Sequence, residues 1–562
     1  VYKRQYLGYI RLKPGVFPEQ INQKIPALLP KYIDVERERK QGFEMELYIK
    51  PVSEIYTQST EVKRMVVIMS VLAFALLFVA AMNYILNSVS SLPIRARSVG
   101  VHKCNGASSK DIFNMFLFET AALFVVALVC MALLLFAFRE YVADMAAVPT
   151  LGTLLNAQTI WLPAIMILAI FILSALLPAR LFSVIPVTQV FRVSTSGKQG
   201  WKRSLLFIQF GGIAFVITLL VIVLLQYDRL MNNDLGYDPE NIVYAPLNNM
   251  DDQKTAKLTA ELKKLPYVMA TGLSSMDILS GYGGFPILDN EKNWLFTARQ
   301  VNYNADYLSL MKIPLLEGQP LKGDGDILVN ESFVSKRGWT DGAIGKYIYD
   351  DEGNLKGKIV GVTRDFMVNS FFTPQLPVIM FGSDRMSYCN FTVRVSELTP
   401  EYLREMNDRI AELFPDEDVG FTVLKTIIES QYEGTRHFRD GVFVASIAIL
   451  LITLMGLLGY ITDEMHRRSK EIAIRKVNGA TAPNILRLLS KDVLITAFPA
   501  ILLGVIASRV VGESWLRQFA DKISLTVFIF ISTALLVLAI IWGCVILKSW
   551  NIANENPVRS IK

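Results

Sequence analysis

"EIAIRKVNGAT", residues 471–481, stands between two long apolar runs, and "SVGVHKCNGAS", residues 98–108, stands between two others. The phrases align at a constant offset of 373 residues, which pairs Lys103 with Lys476, Asn105 with Asn478, Gly106 with Gly479 and Ala107 with Ala480. The same offset sets Met65 opposite Phe438 and Glu119 opposite Asp492. Downstream, "IPVTQVFR" (185–192) parallels "NPVRSIK" (556–562). Upstream, "PEQINQKIPALLP" (18–30) parallels "PEYLREMNDRIAELFP" (400–415). Self-similarity at one fixed spacing over this length marks a duplication.

The apolar runs that frame the phrases belong to a set of seven: Met65–Val89, Met115–Phe138, Ile160–Phe182, Leu205–Leu225, Val442–Ile461, Val493–Val511 and Leu525–Leu547. Each is long enough to cross a hydrocarbon core of about 30 Å, which takes roughly 20 helical residues. The chain is 562 residues long and 52% hydrophobic, with mean hydropathy +0.36. One such run could be a buried core helix; seven describe a polytopic membrane protein.

Lys and Arg in the short loops orient it. Segment 91–114 carries Arg95, Arg97, Lys103 and Lys110 against Asp111. Segment 183–204 carries Arg192, Lys198, Lys202 and Arg203 and no acid. Segment 462–491 carries seven basic side chains against Asp463, Glu464 and Glu471. These loops and the C-terminus are expected in the cytoplasm, and segments 1–64, 139–159, 228–437 and 512–524 outside. The large outer segment 228–437 holds 31 acidic and 21 basic side chains, although the whole chain is +6. The basic pI of about 8.9 therefore reflects a charge split across a membrane and calls for no nucleic-acid partner.

Each half should consist of an opening span, an external domain and three further spans. The second half is complete from Leu205; the first shows its three later spans and begins at "VYKRQYLGYIRL". The expectation is an N-terminally truncated member of an eight-span design. Its missing opening span would start roughly 170 to 180 residues before Val1 by repeat arithmetic.

The outer segment 228–437 reads as mixed α/β. Strand-like runs cover 241–247, 358–366, 377–381 and 390–395, helical patterns 252–265 and 400–414, and turn chemistry 280–286 and 350–354. Residues 424–440 place Leu424, Ile427, Ile428 and Tyr432 on one helical face, and read as a helix continuing out of the membrane. Four cysteines supply no disulfide framework, and Cys389 alone in the outer segment reads as a buried thiol.

No G-x-x-x-x-G-K-[ST] motif is present, so nucleotide hydrolysis needs another subunit. No H-E-x-x-H occurs, and three histidines (His102, His437, His466) make a poor metal set. "GLSSMDILSGYGG" (272–284) is Ser-rich but has one histidine, His437, outside the membrane to activate it. Glu119 and Asp492 lie at the cytoplasmic ends of their spans, where an interfacial acid pairing with a nearby Lys or an N-terminal helix turn outweighs a proton relay. Arg509, near the outer end of its span, is expected to snorkel.

The two phrases carry the remaining signal. In 471–479, Ile472, Ile474 and Val477 alternate with Glu471, Arg475 and Lys476, and Asn478–Gly479 ends the run. Such a short amphipathic helix is either a docking element, apolar side chains in a partner's groove and charges fixing orientation, or an interfacial helix resting on lipid headgroups.

"RRSKEIAIRKVNGATAPNILRLLSKDVLITAF" (467–498) resembles the signature segment of the FtsX-like permeases of the MacB-type ABC transporter superfamily. Residues 205–243 look like the opening span of a second permease half. "ILVNESFV" (327–334) and residues 343–366 look like its periplasmic domain, and residues 515–530 like its last loop and span. The combination is similar to the eight-span, two-repeat permeases common in Bacteroidetes. The resemblance implies a polytopic α-helical membrane protein with an α/β, MacB-type periplasmic domain and two tandem FtsX-like repeats, seven spans visible of eight.

The domains expected are 1–64, the end of a first periplasmic domain; 65–182, a three-span FtsX-like unit; and 183–204, a cytoplasmic linker. They continue with 205–225, an opening span; 226–437, a second periplasmic domain; 438–547, a second three-span unit; and 548–562, a tail.

The resemblance also implies partners. A cytoplasmic ABC ATPase dimer would supply ATP hydrolysis, the permease itself binding no cofactor and being no enzyme. A periplasmic adaptor or outer-membrane channel could complete an export system in the inner membrane, among bulk lipid. The coupling residues would be Glu471, Ile472, Ile474, Arg475, Lys476, Val477, Asn478 and Gly479, with Val99, Val101, His102, Lys103, Asn105 and Gly106 in the first copy. ATP-driven movement would be relayed along helices to the periplasmic domains, for export or envelope remodelling. Lipoprotein release, and a non-transporting transducer or antimicrobial-peptide sensor, remain open alternatives. The first copy departs from the pattern, with Ser98 for Glu471 and His102 for Arg475, which predicts a weaker grip.

Overall fold

The computed structural model describes residues 8–35, 47–52, 60–184 and 200–553, except 91, 147, 157–158, 249–251, 277, 280–282, 290, 292, 351, 369, 371, 384–385, 387 and 416–418. The parallel stretches 185–192 and 556–562 lie outside the described residues. The chain divides into two compact units. One gathers Val1–Val62, Leu230–Tyr432 and Phe519–Asp521; the other gathers Lys63–Arg229, Glu433–Gln518 and Lys522–Lys562.

The second unit is helical. In the first half, α1 (Thr60–Ser90), α2 (Leu92–Cys104), α3 (Ser109–Ala137), α4 (Arg139–Met145) and α5 (Trp161–Val184) follow one another. Then come α6 (Gly200–Asn232), α7 (Glu433–Val477), α8 (Ala482–Leu516) and α9 (Val527–Ala553). Seven of the described helices are long and apolar enough to cross a membrane, including Met65–Ile85, Arg203–Asn232 and Glu433–Met465. Their outward faces carry Phe118, Val125, Val129, Phe136 and Phe498 in the open, a distribution that only an apolar solvent satisfies. The protein is a multi-pass membrane protein.

The halves share local structure down to single turns. Ile112, Phe116 and Thr120 are buried on α3, as are their counterparts Ile485, Leu489 and Val493 on α8. Farther along, α8 buries Ala500, Gly504, Ser508 and Gly512, four small residues at i, i+4 spacing. They let α6 approach closely: a Cβ on Gly504 would stand 2.2 Å from the Gly211 carbonyl oxygen, and one on Gly512 2.8 Å from Ile222. The aligned positions in the first half are Ala127, Met131 and Leu135 on α3 and Arg139 at the start of α4, so the stripe of small residues is not repeated there.

The phrase 471–477 is not a separate short helix. It is the last two turns of α7, whose 45 residues run unbroken from Glu433 to Val477, about 67 Å at 1.5 Å per residue. In the first half, α1 ends at Ser90 and α2 begins at Leu92, with Pro93 in its first turn. Proline lacks the N–H for the preceding turn, whereas the second half has His466 at that position.

The other unit holds a mixed sheet built from β1 (Ile242–Asn248), β2 (Val268–Ser274), β3 (Gly283–Leu288), β4 (Trp294–Tyr303), β5 (Leu315–Gly318), β6 (Asp326–Asn330), β7 (Tyr347–Tyr349), β8 (Leu355–Thr363), β9 (Val378–Gly382), β10 (Tyr388–Val395) and β11 (Thr422–Val423). The order is β11-β1-β10-β2-β4-β9-β6-β8-β5, with β3 on β4 and β7 on β8. β4–β9 and β6–β8 are parallel; the other ladders are antiparallel. A single registered pair, Ser274 with Tyr303, joins β2 to β4 and separates two cores. One core packs Val243, Leu258, Phe391, Met406 and Ile410 beneath the helices Asp252–Leu262 and Pro400–Leu413. The other packs Phe296, Ile327, Phe333 and Ile359 beneath Glu331–Arg337.

Two expectations are corrected here. The 424–440 stretch is two helices, Leu424–Gln431 and the start of α7, separated by Tyr432 at φ −104° and ψ 10°. Tyr432 is buried within the external unit, its ring 5.9 Å from that of Phe372, which holds the backbone out of helical register. Residues 283–286, read as turn, are strand β3, because its pairing with β4 satisfies their backbone.

Candidate coupling surface

The two phrases adopt the same conformation. Over ten aligned positions, 98–107 and 471–480, buried, half-buried and exposed side chains fall in an identical order. Val99 and Ile472 point inward; Val101 and Ile474 point outward, 53% and 60% exposed, and Val477 is 69% exposed. Asn105 N–H donates to Val101 O at 3.1 Å, and Asn478 N–H to Ile474 O at 3.0 Å. Ala107 N–H then donates to His102 O at 3.0 Å and Ala480 N–H to Arg475 O at 2.9 Å. Both turns need a left-handed residue, and Gly106 (φ 92°) and Gly479 (φ 89°) supply it.

The surroundings differ between copies. Glu471 accepts from Arg475 at 2.8 Å, an i,i+4 pair that fixes the guanidinium beside Ile474. With Ser98 and His102, the first copy lacks that pair. Lys103 instead reaches back to donate to Ser183 O at 2.8 Å, at the end of α5. Ser108 and Asp111 form a capping box at the start of α3, Ser108 N–H donating to Asp111 Oδ2 at 2.8 Å. Lys476 is half-buried, and Asn105, Asn478 and His102 are exposed.

Both phrases therefore end helical hairpins whose tips present apolar side chains amid charge. Exposed Ile474 and Val477 at a helix end fit either a groove on another molecule or a layer of lipid headgroups.

Behind the second tip lies an ionic set that composition alone does not reveal. Arg468 binds Glu464 on its own helix and Asp492 on α8, and Arg203 of α6 stands 3.5 Å from the same Asp492. Asp492 thus pairs with two arginines rather than with a lysine. Its sequence signal was the i,i+4 spacing of Glu464 and Arg468, lost among seven cations in one loop. Glu119 in the first copy is exposed. Arg509 lies with its guanidinium 5.8 Å over the Phe530 ring.

Farther into the bundle, α1 meets α7. Asn83 donates through Nδ2 to Ile452 O at 3.0 Å, beside Gly456. Gln209 of α6 is fully buried there, its Oε1 3.1 Å from where a Gly456 Cβ would stand.

In the external unit, Cys389 is buried and its thiol is pushed up to about 11 by that burial. Among the described residues no group of three or more His, Cys, Asp or Glu side chains is placed to hold a metal.

The FtsX-like permease C-terminal family model matches residues 70–187 and 443–557, regions that include both hairpin tips. No curated protein matches the chain. Among solved structures, the periplasmic region of MacB from Actinobacillus actinomycetemcomitans is 13% identical, covers 36% of this chain and 97% of that one, and has a TM-score of 0.27. A domain of a putative permease protein from Porphyromonas gingivalis is 15% identical over 34% of this chain and 98% of that one, with a TM-score of 0.26. The extracellular domain of the noncanonic ABC-type transporter YknZ from Gram-positive bacteria is 12% identical over 33% and 99%, with a TM-score of 0.24. Each half of the chain therefore carries one region similar to the FtsX-like permease C-terminal domain.

Proposed function

We propose that this permease is the membrane subunit of an ABC transporter, and that each half grips one of two cytoplasmic ATPase subunits through its hairpin tip. ATP hydrolysed by those subunits moves the tips. The movement passes along the spans to the external α/β domain, for export or envelope remodelling across a bacterial inner membrane. The external domain is periplasmic in this reading, and an adaptor or outer-membrane channel is its natural counterpart.

The observation that carries the reading is the identical ten-position burial order of the two tips, with Val101, Ile474 and Val477 outward and a left-handed glycine after each. Two copies of one surface suit two copies of one partner. The lipid-resting alternative leaves the identity of the exposed side chains without consequence.

Single cysteines at Ile474 and Val477 test it. In native membranes they should form short-linker cross-links to an ATPase subunit, whereas a cysteine at exposed Leu547 on α9 should not. Absence of cross-linking at both tip positions, with the protein inserted at normal abundance, would remove the docking reading.

A further inference from the structure

The hairpin formed by α7 and α8 has its tip at Ala480; Arg468 lies 12 residues before it and Asp492 12 residues after it. Arg468 joins the two legs, bonding Glu464 and Asp492 through different guanidinium nitrogens. Arg203 adds α6 to the same carboxylate. The side chains of Glu464, Arg468 and Asp492 are 7%, 16% and 25% exposed, so these charges face one another with little water between them. Removing one partner of a pair so placed costs far more than breaking a surface pair.

The first half lacks this arrangement in its sequence. Position 91 is Ser where Glu464 stands, although Arg95 and Glu119 match Arg468 and Asp492. The acid on the arginine's own helix is gone.

We propose that Arg468 is a positioning residue for coupling in the second half. By clamping both legs of the hairpin at equal distance from its tip, it makes a load on Ile474 and Val477 shift α7 as a rod. Without the clamp, the load would splay the hairpin and be spent before it reached the span. The inference rests on the docking reading of the tip, but the docking side chains are not the clamp's own bonds, so gripping and transmitting separate experimentally.

Arg468→Gln alone would take the shared cation from buried Glu464 and half-buried Asp492, leaving Arg203 beside Asp492, and could disturb folding. The informative variant is the neutral triple Glu464→Gln, Arg468→Gln, Asp492→Asn, in the full chain, compared with wild type and Arg468→Lys. Association with the ATPase should stay within about twofold of wild type, while permease-stimulated hydrolysis falls at least about tenfold, a usual size for coupling between sites. Arg468→Lys should lie between, because an ammonium does not fork across two carboxylates. Undiminished stimulation in the triple variant would overturn the proposal. So would loss of association in step with stimulation, which would make the set part of docking or folding. Failure of the wild-type chain to bind any ATPase would instead sink the docking reading beneath it, and is recognised because the unaltered chain shows it.

Discussion

Asn83 and Gly456 occupy equivalent positions in the two repeats, 373 residues apart, and they touch. The missing side chain at Gly456 opens the flank of α7, and Asn83 Nδ2 uses the opening to donate to Ile452 O at 3.0 Å. A Cβ at Gly456 would stand 2.6 Å from Asn83 Oδ1. One position supplies the space and its repeat mate fills it, so the halves meet through sequence divergence at a single aligned site.

Gly456→Ala should therefore destabilise the protein by about 1–3 kcal/mol, the usual cost of overpacking. Asn83→Ala in the same chain should recover part of that loss, giving a double-mutant coupling of about 0.5 kcal/mol or more. Thermal unfolding of the detergent-solubilised protein reads both. Strictly additive effects would mean that the two residues do not share the space.

Gly504 makes a sharper case, because the neighbour of an added Cβ is the Gly211 backbone, at 2.2 Å, and not a side chain that can turn away. Gly504→Ala should cost more than Gly456→Ala in the same unfolding assay. Gly543→Ala on α9 meets nothing within 4 Å and should be neutral or stabilising by up to about 1 kcal/mol from helix propensity.

Acid should weaken the external unit. Asp234 is held below the ordinary carboxylate range by the Gly236 N–H, which outweighs burial, with Arg364 adding to it. Asp238 is raised by burial but brought below that range by Lys312, the Glu240 N–H and Arg394. In Asp350 burial is likewise overcome, by Asn354 and Lys356. Carboxylates depressed in the folded state contribute stability that is complete above their unfolded value near 4 and is lost as pH falls through the folded one. The unfolding temperature of this unit should drop below about pH 4, and Asp350→Asn should make the dependence shallower. A flat profile would show that these carboxylates contribute nothing.

Topology has a direct check. A cysteine at Asn354, exposed in the external unit, should react with a membrane-impermeant thiol reagent in cells with a permeabilised outer membrane; one at Val477 should not. Labelling in the reverse pattern would invert the orientation drawn from the loop charges.

Much of this was legible in the sequence, for physical reasons. Apolar runs of about 20 residues have few other uses, and an exact offset needs no structure to be seen. The turn at Gly479 followed from glycine's conformational freedom, and the aligned Gly106 adopts the same positive φ. The break at Tyr432 was hidden because Leu424, Ile427, Ile428 and Tyr432 continue one helical stripe; what stops the helix is burial of Tyr432 against residues far away in the chain. Strands β2, β4 and β6 went unread, being fixed by long-range pairing, as in Ile327 with Phe381. The Arg468 set was invisible for a similar reason. Its meaning depends on which faces of α6, α7 and α8 meet, of which Gly504 and Gly512 set the approach of α8 to α6.

Docking of the two tips on ATPase subunits is most directly tested by Ile474→Asp. A charge placed in an apolar groove, buried and unpaired, costs several kcal/mol, enough to detach a helix end. The variant, inserted at normal abundance, should lose ATPase co-purification and permease-stimulated hydrolysis, and Val101→Asp should do the same more mildly, since the first tip lacks the Glu471–Arg475 pair. Full association and full stimulation in both variants would contradict the account.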